Sequence, residues 1–508
     1  MLLVSLIAWI FAFFLPLNIY FEIGLLVVGI VNLSYNFKYF SSEIRKLTYF
    51  KSPIFLFFLL VTAVVSSFFP YINDHFGYYI PTIEILNSEG LIKGVSSLHL
   101  VLGQQSPWHI LQASFDNSID IYCRLNGFLL IVFLIYIFEK KQYYFLIFIP
   151  LFLLFVQSPS PDLPIYIISL ILINELLIVK TSSIAFLFLL SVWMVSIKPF
   201  AFWMPIFIII YMLLHRKLQT IFNKNWHYSF LFSSLIIFLF LFKNYWCCSN
   251  FLFPLDAFYV DSAWALPKSI ITASSKNALL KTYDFQFTFT EIQHFIWTDY
   301  FKNFFLLNGF KGVLHIVFLV FSLVFGVYSL FIKNKIFFLI FLLGLAKICI
   351  VVLISGQYRF FLDVILVFGF LFIYSIKLNL TFNTIFAIVF SLLALFVFLN
   401  PVYLQKNIPS FKIGFIMQNP TLNQIYQPGK YHIESFEQKK FGNLNFNIPN
   451  YHLLLDCKTP AITNNSLKEY LKIGYFPQKM GENIKDGFYL KKLSITEKKE
   501  LKKLILHQ

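Results

Sequence analysis

The sequence predicts an all-α polytopic membrane protein of about 13 transmembrane helices, with large outer loops and a small C-terminal α+β extracytoplasmic domain. Three observations predict it. Of 508 residues, 58% are hydrophobic and only 13% are charged, where soluble domains carry about 25% charged residues. The apolar residues form long uninterrupted runs, unlike the alternating strands of an outer-membrane barrel. Lys and Arg gather in alternate short connections, as the positive-inside rule requires of cytoplasmic loops. Together these exclude a soluble enzyme with a single core. With only 19 Gly and 20 Pro, they also exclude a collagen-like or disordered chain.

The apolar runs lie at 2–15, 19–34, 53–69, 124–138, 143–157, 164–179, 183–197, 200–214, 228–242, 312–332, 336–355, 359–376 and 382–399. A span needs about 20 residues, so several must borrow flanking aromatic residues. The first run lacks a basic start and a small-residue cleavage site, and reads as a retained span. Placing the N-terminus in the cytoplasm puts every basic connection there: Lys38, Arg45, Lys46 and Lys51, then Lys140 and Lys141, Lys180, Arg216 and Lys217, Lys333 and Lys335, and Lys377. The opposite loops are long. Residues 70–123 carry Asp74, Glu84, Glu89, Asp116 and Asp120 against Lys93, and residues 243–311 are mixed. Two regions follow: a membrane region, 1–399, and an extracytoplasmic C-terminal domain, 400–508. The latter has 16 Lys against 8 acidic residues, strand-like patches at 430–436 and 451–456, and a helix expected over 496–506.

The net charge of +16 fits lipid head groups and helix orientation, so no nucleic-acid partner is expected. Cys123, Cys247, Cys248, Cys349 and Cys457 have no CxxC spacing and no histidine partners, which leaves no zinc or redox motif. Walker A, HExxH, GxSxG and GxGxxG are absent.

The residues able to carry chemistry sit at the outer ends of runs. Asp74, in Pro70-Tyr71-Ile72-Asn73-Asp74-His75, follows the run 53–69 among aromatics. A carboxylate there can accept a proton from a hydroxyl or hold a cation, or it merely ends the helix. Asp162 closes Ser158-Pro159-Ser160-Pro161-Asp162, where proline makes a rigid turn; this is either a presented acid or a tight loop. Arg359, in Ser355-Gly356-Gln357-Tyr358-Arg359, can fork onto a phosphate or snorkel to head groups. Lys198, before Pro199, could assist it. The stretch 77–115 reads as short amphipathic helices, packed on the bundle or lying in the interface; His75, His99 and His109 of the loop 70–123 read as structural groups. Few charges lie within the runs; Lys347 and Asp363 are two of them, and they lie near enough to the ends to snorkel.

In this order these pieces resemble the large-loop multi-span glycosyltransferases of the GT-C superfold. More narrowly they resemble bacterial envelope-polysaccharide membrane proteins, through Asp74–Pro81, Gly94–His99, Gly103–Trp108, Ser158–Asp162, Lys198, and Phe253-Pro254 with Asp261, Trp264 and Pro267. The match covers about residues 53–365 and leaves the tail outside; the histidine expected after the tyrosine is Tyr79 here. The resemblance implies a transferase of the bacterial inner membrane. It would move sugar from a polyprenyl-phosphate donor to a lipid-linked or saccharide acceptor in envelope polysaccharide or glycoconjugate assembly. It makes Asp74 and Asp162 the catalytic acids and assigns Arg359, Lys198, His75 and His99 to substrate and phosphate binding. A divalent cation, Mg or Mn, is left open. The alternatives are a transporter or flippase of lipid-linked saccharides, which calls for polar residues at mid-membrane depth. An oligosaccharide polymerase or ligase would need arginines in a large outer loop, and 243–311 has none.

Overall fold

The computed structural model describes residues 1–215, 224–255, 258–407, 419–429, 436–449 and 459–506. It is mostly helical, and each predicted apolar run falls on helix. Among the described residues, five helices are long and apolar enough to cross a membrane: Asp162–Val179, Asn225–Cys248, Phe310–Phe331, Lys335–Ser355 and Leu380–Leu399. A sixth is gained if Ile19–Tyr35 and Phe37–Arg45, bent by 76°, count as one span. The other seven runs form helices of 10–17 residues, such as Leu2–Ala12, Pro53–Ser67 and Ile184–Ile197. The expected count is therefore not reached on length alone. In Tyr143–Phe155 the cause is local, a 3-10, α, 3-10 series with Pro150 in its α turn.

The helices pack in pairs. Ile184–Ile197 lies on Lys224–Cys248, Phe310–Phe331 on Lys335–Ser355, Pro53–Ser67 on Leu125–Glu139, and Leu362–Ser375 on Asp162–Asn174. Gly344 lets two helices close up: a Cβ there would meet the Val364 and Phe368 side chains at 2.6 Å. Lys347 and Asp363, expected to snorkel, instead face each other. They form a 2.5 Å ion pair, both side chains 1% exposed, and the second Asp363 oxygen accepts a 2.8 Å bond from Trp203 Nε1. Each charge finds its partner on a neighbouring helix, so neither needs to reach water.

The loop 70–123 is folded into the core. Ile83, Ile85, Leu86, Trp108 and Ile110 are fully buried, and so is every residue of the helix Pro107–Ala113. Of the two readings, packing on the bundle is the one seen, because no polar face of Pro107–Ala113 is left for head groups. Ser106 caps the helix by accepting from the Trp108 N–H, and Trp108 Nε1 donates 2.8 Å to Asn126 on the next helix.

The tail holds two antiparallel hairpins, β1 (Phe436–Phe441) with β2 (Leu444–Pro449) and β3 (Tyr475–Lys479) with β4 (Phe488–Lys492), plus helices Asn464–Ile473 and Ile495–Leu506. The last is the expected helix. The strand-like patch 451–456 lies outside the described residues, and so does 430–436 except Phe436. The tail rests on the 70–123 loop: Tyr470 Oη donates to the Ser97 carbonyl at 2.9 Å, the Phe488 N–H to the Lys93 carbonyl at 2.9 Å, and Lys485 Nζ to the Glu89 backbone carbonyl at 2.6 Å.

Candidate functional site

Four of the expected site residues arrive at one end of the bundle from four separate connections. Asp74 precedes the π-turn His75–Tyr79, after the chain has left the helix Pro53–Ser67. Asp162 opens the helix Asp162–Asn174, straight from the turn made by Pro159 and Pro161. Lys198 ends the helix Ile184–Ile197 in an extended conformation, just before Pro199. Arg359 sits in the 3-10 turn Tyr358–Phe360 that joins Lys335–Ser355 to Leu362–Ser375. In each case an apolar helix stops because proline or a turn interrupts it, which leaves one charged side chain beyond the last apolar residue.

Their side chains meet. Arg359 Nη1 lies 2.6 Å from Asp74 Oδ2 and 3.8 Å from Asp162 Oδ2. Lys198 Nζ pairs with Asp162 Oδ1. Ser160 Oγ donates to Asp162 Oδ2 at 3.2 Å and accepts from Tyr79 Oη at 3.5 Å. The Arg359 backbone is held as well, because Tyr166 Oη donates to its carbonyl at 2.9 Å. Phe360 carries the two cations on its ring: Lys198 Nζ is 4.4 Å and the Arg359 guanidinium 5.3 Å from its centroid.

Two acids and two bases make a neutral cluster with an open half and a closed half. The side chains of Asp74 and Arg359 are 32% and 29% exposed, whereas Asp162 is 3% exposed. Burial works against the Arg359 charge, but Asp162 and Asp74 outweigh it and hold its pKa well above the ordinary value. For Lys198 burial wins over the attraction of Asp162, and its pKa falls. Burial, with Asp74 nearby, raises the phenols of Tyr78 and Tyr79, which remain neutral hydroxyls.

All four cluster residues lie within residues 1–366, the stretch that matches a family described as Domain of unknown function (DUF8201). The chain belongs to the DUF8201 family. Among curated proteins and solved structures, none matches it. The DUF8201 match ends shortly after Arg359, so it holds the whole cluster and leaves out the tail.

The histidines are placed differently. His75 is buried next to Asp74, with its ring edge-on to Phe76 at 4.8 Å. Among the described residues, His99 makes no side-chain hydrogen bond to the cluster, and burial lowers its pKa to about 4, so it is neutral at pH 7. His109 packs on Tyr79 at 4.8 Å, and burial takes it down to about 3. Ser160, Tyr79 and Tyr166 were not assigned roles from sequence. Tyr166 had a readable signal, since it stands one helical turn after Asp162 on the same face. A divalent cation does not fit the cluster: Arg359 and Lys198 already neutralise both carboxylates, and among the described residues no three His, Cys, Asp or Glu side chains converge.

Proposed function

We propose that the chain is a GT-C-type membrane glycosyltransferase that moves a sugar from a polyprenyl-phosphate donor to an acceptor hydroxyl on the face away from the cytoplasm. The observation that carries this reading is the meeting of Asp74, Asp162, Lys198 and Arg359, up to 285 residues apart in sequence, in one partly open cluster. Asp74, on the open half, accepts the acceptor proton. The hydroxyl oxygen then bonds to the sugar C1 as the C1–O bond to phosphate breaks, and the bonding electron pair stays on the phosphate. Arg359 swings from Asp74 to the phosphate oxygens, where negative charge grows. That movement also frees the Asp74 carboxylate to act as base. Asp162 stays in place and holds Lys198 beside the phosphate.

The membrane setting belongs to the same reading. With the N-terminus in the cytoplasm, the basic connections fall on the inner side and the cluster, both long loops and the tail on the outer side of a bacterial inner membrane. The seven shorter apolar helices complete thirteen crossings by borrowing flanking residues and by local thinning of the bilayer. Purified protein in liposomes, supplied with polyprenyl-phosphate sugars and saccharide acceptors, tests this. The expected result is sugar transfer; hydrolysis alone, or no reaction with any donor, counts against it. A second reading, a flippase of lipid-linked saccharides, is favoured by one observation, the buried Lys347–Asp363 pair within apolar helices. Vesicles that translocate a labelled lipid-linked saccharide without transferring it would support the flippase instead.

A further inference from the structure

Arg124 is a half-buried cation whose guanidinium is turned wholly onto backbone. It stands at the start of the helix Leu125–Glu139, and all five of its N–H donors are used. Nε donates to the Ser66 carbonyl at 2.6 Å, Nη1 to Gln157 at 2.8 Å and to Tyr122, and Nη2 to Gly429 at 2.7 Å and to Phe68 at 3.4 Å. Its own N–H is fixed by the Asp120 carboxylate at 2.7 Å. These acceptors are not scattered. Ser66 and Phe68 end the helix that leads into Asp74, Gln157 begins the turn that ends in Asp162, and Gly429 belongs to the tail.

We infer that Arg124 is the positioning residue that sets the spacing between the two acid-bearing segments and ties that spacing to the seating of the tail. The inference rests on reading Asp74 and Asp162 as the functional acids. Two features support a single register. Gly429 is held from both sides, since its N–H donates to Ser67 at 2.7 Å while its carbonyl accepts from Arg124. It also has no room for a side chain, because a Cβ there would lie 2.8 Å from the Phe69 ring. A shift of the tail at Gly429 must therefore move the chain that leads to Asp74, or break the Arg124 fork. A lysine at 124 keeps the charge but offers three donors in place of five, with no planar fork.

Hydrogen–deuterium exchange on the full-length protein in detergent tests this without any substrate. Arg124→Lys is expected to speed exchange at least tenfold in segments 66–79, 157–161 and 419–429, and to leave the helices Phe310–Phe331 and Lys335–Ser355 unchanged. Gly429→Ala, which leaves Arg124 intact, is expected to produce the same pattern, and it decides the matter if Arg124→Lys does not fold. Exchange raised only around residues 122–128, or raised equally in all helices, overturns the inference. If transfer activity is found, Arg124→Lys should add less than threefold to the loss already caused by Asp74→Asn. Independent, multiplying losses would mark a merely structural role. Should no transfer be found at all, the exchange pattern still decides on Arg124.

Discussion

Asp162 is the most enclosed member of the cluster, and removing its charge strands Lys198 in a nearly closed site. Breaking such a pair from one side costs on the order of 3 kcal/mol, because the remaining charge has lost both water and its partner. Asp162→Asn should therefore lower the melting temperature in detergent by several degrees. Lys198→Met in the same protein should restore part of the loss, a coupling that a double-mutant cycle measures. Asp74 behaves differently. It is a third exposed, so Asp74→Asn should leave stability nearly unchanged. All four cluster residues were legible in the sequence for the same reason: each is a charge near the outer end of an apolar run, among few other charges. Lys347 and Asp363 were misread because the relation between them is made by helix packing. A run of sequence shows how far a lysine lies from a helix end, but not that a carboxylate waits on the neighbouring helix.

At the scale of elements, the 70–123 loop holds two neutral histidines in its packing. The reference pKa of His is about 6.5, whereas burial takes His99 to about 4 and His109 to about 3. Between these values the unfolded chain binds protons that the folded loop does not. Stability is therefore fully present above about pH 6.5 and declines as pH falls towards the folded values. At pH 5 each histidine costs about 2 kcal/mol, from ~1.36 kcal/mol per unit. Melting curves at pH 7 and pH 5 should show that drop, and His99→Asn with His109→Gln should flatten it. The same loop marks a limit of pattern reading. Its alternation of Leu, Ile and polar residues fits a packed and an interfacial helix alike, and only the structure shows Pro107–Ala113 buried on every side. Two of its polar side chains find partners inside the protein, Trp108 in Asn126 and Gln112 in Asp120, and periodicity cannot reveal such partners.

For the whole molecule, the apolar runs were legible as helices, while their lengths were not, since the 3-10 pieces of Tyr143–Phe155 and the 76° bend after Tyr35 depend on local packing. The proposed orientation puts the cluster and tail outside and the basic connections inside. Single cysteines at Glu291 and Asn334 should separate these sides in intact cells: an impermeant maleimide should label the first and reach the second only after lysis. Labelling of both or the reverse pattern would invert the topology. The measurement closest to the central claim is sugar transfer by wild-type and Asp74→Asn protein, purified alike and melting within about 2 °C of each other. A positioned base contributes about 10²–10⁴-fold, so the rate should fall at least a hundredfold. Transfer at the wild-type rate by Asp74→Asn would contradict the account.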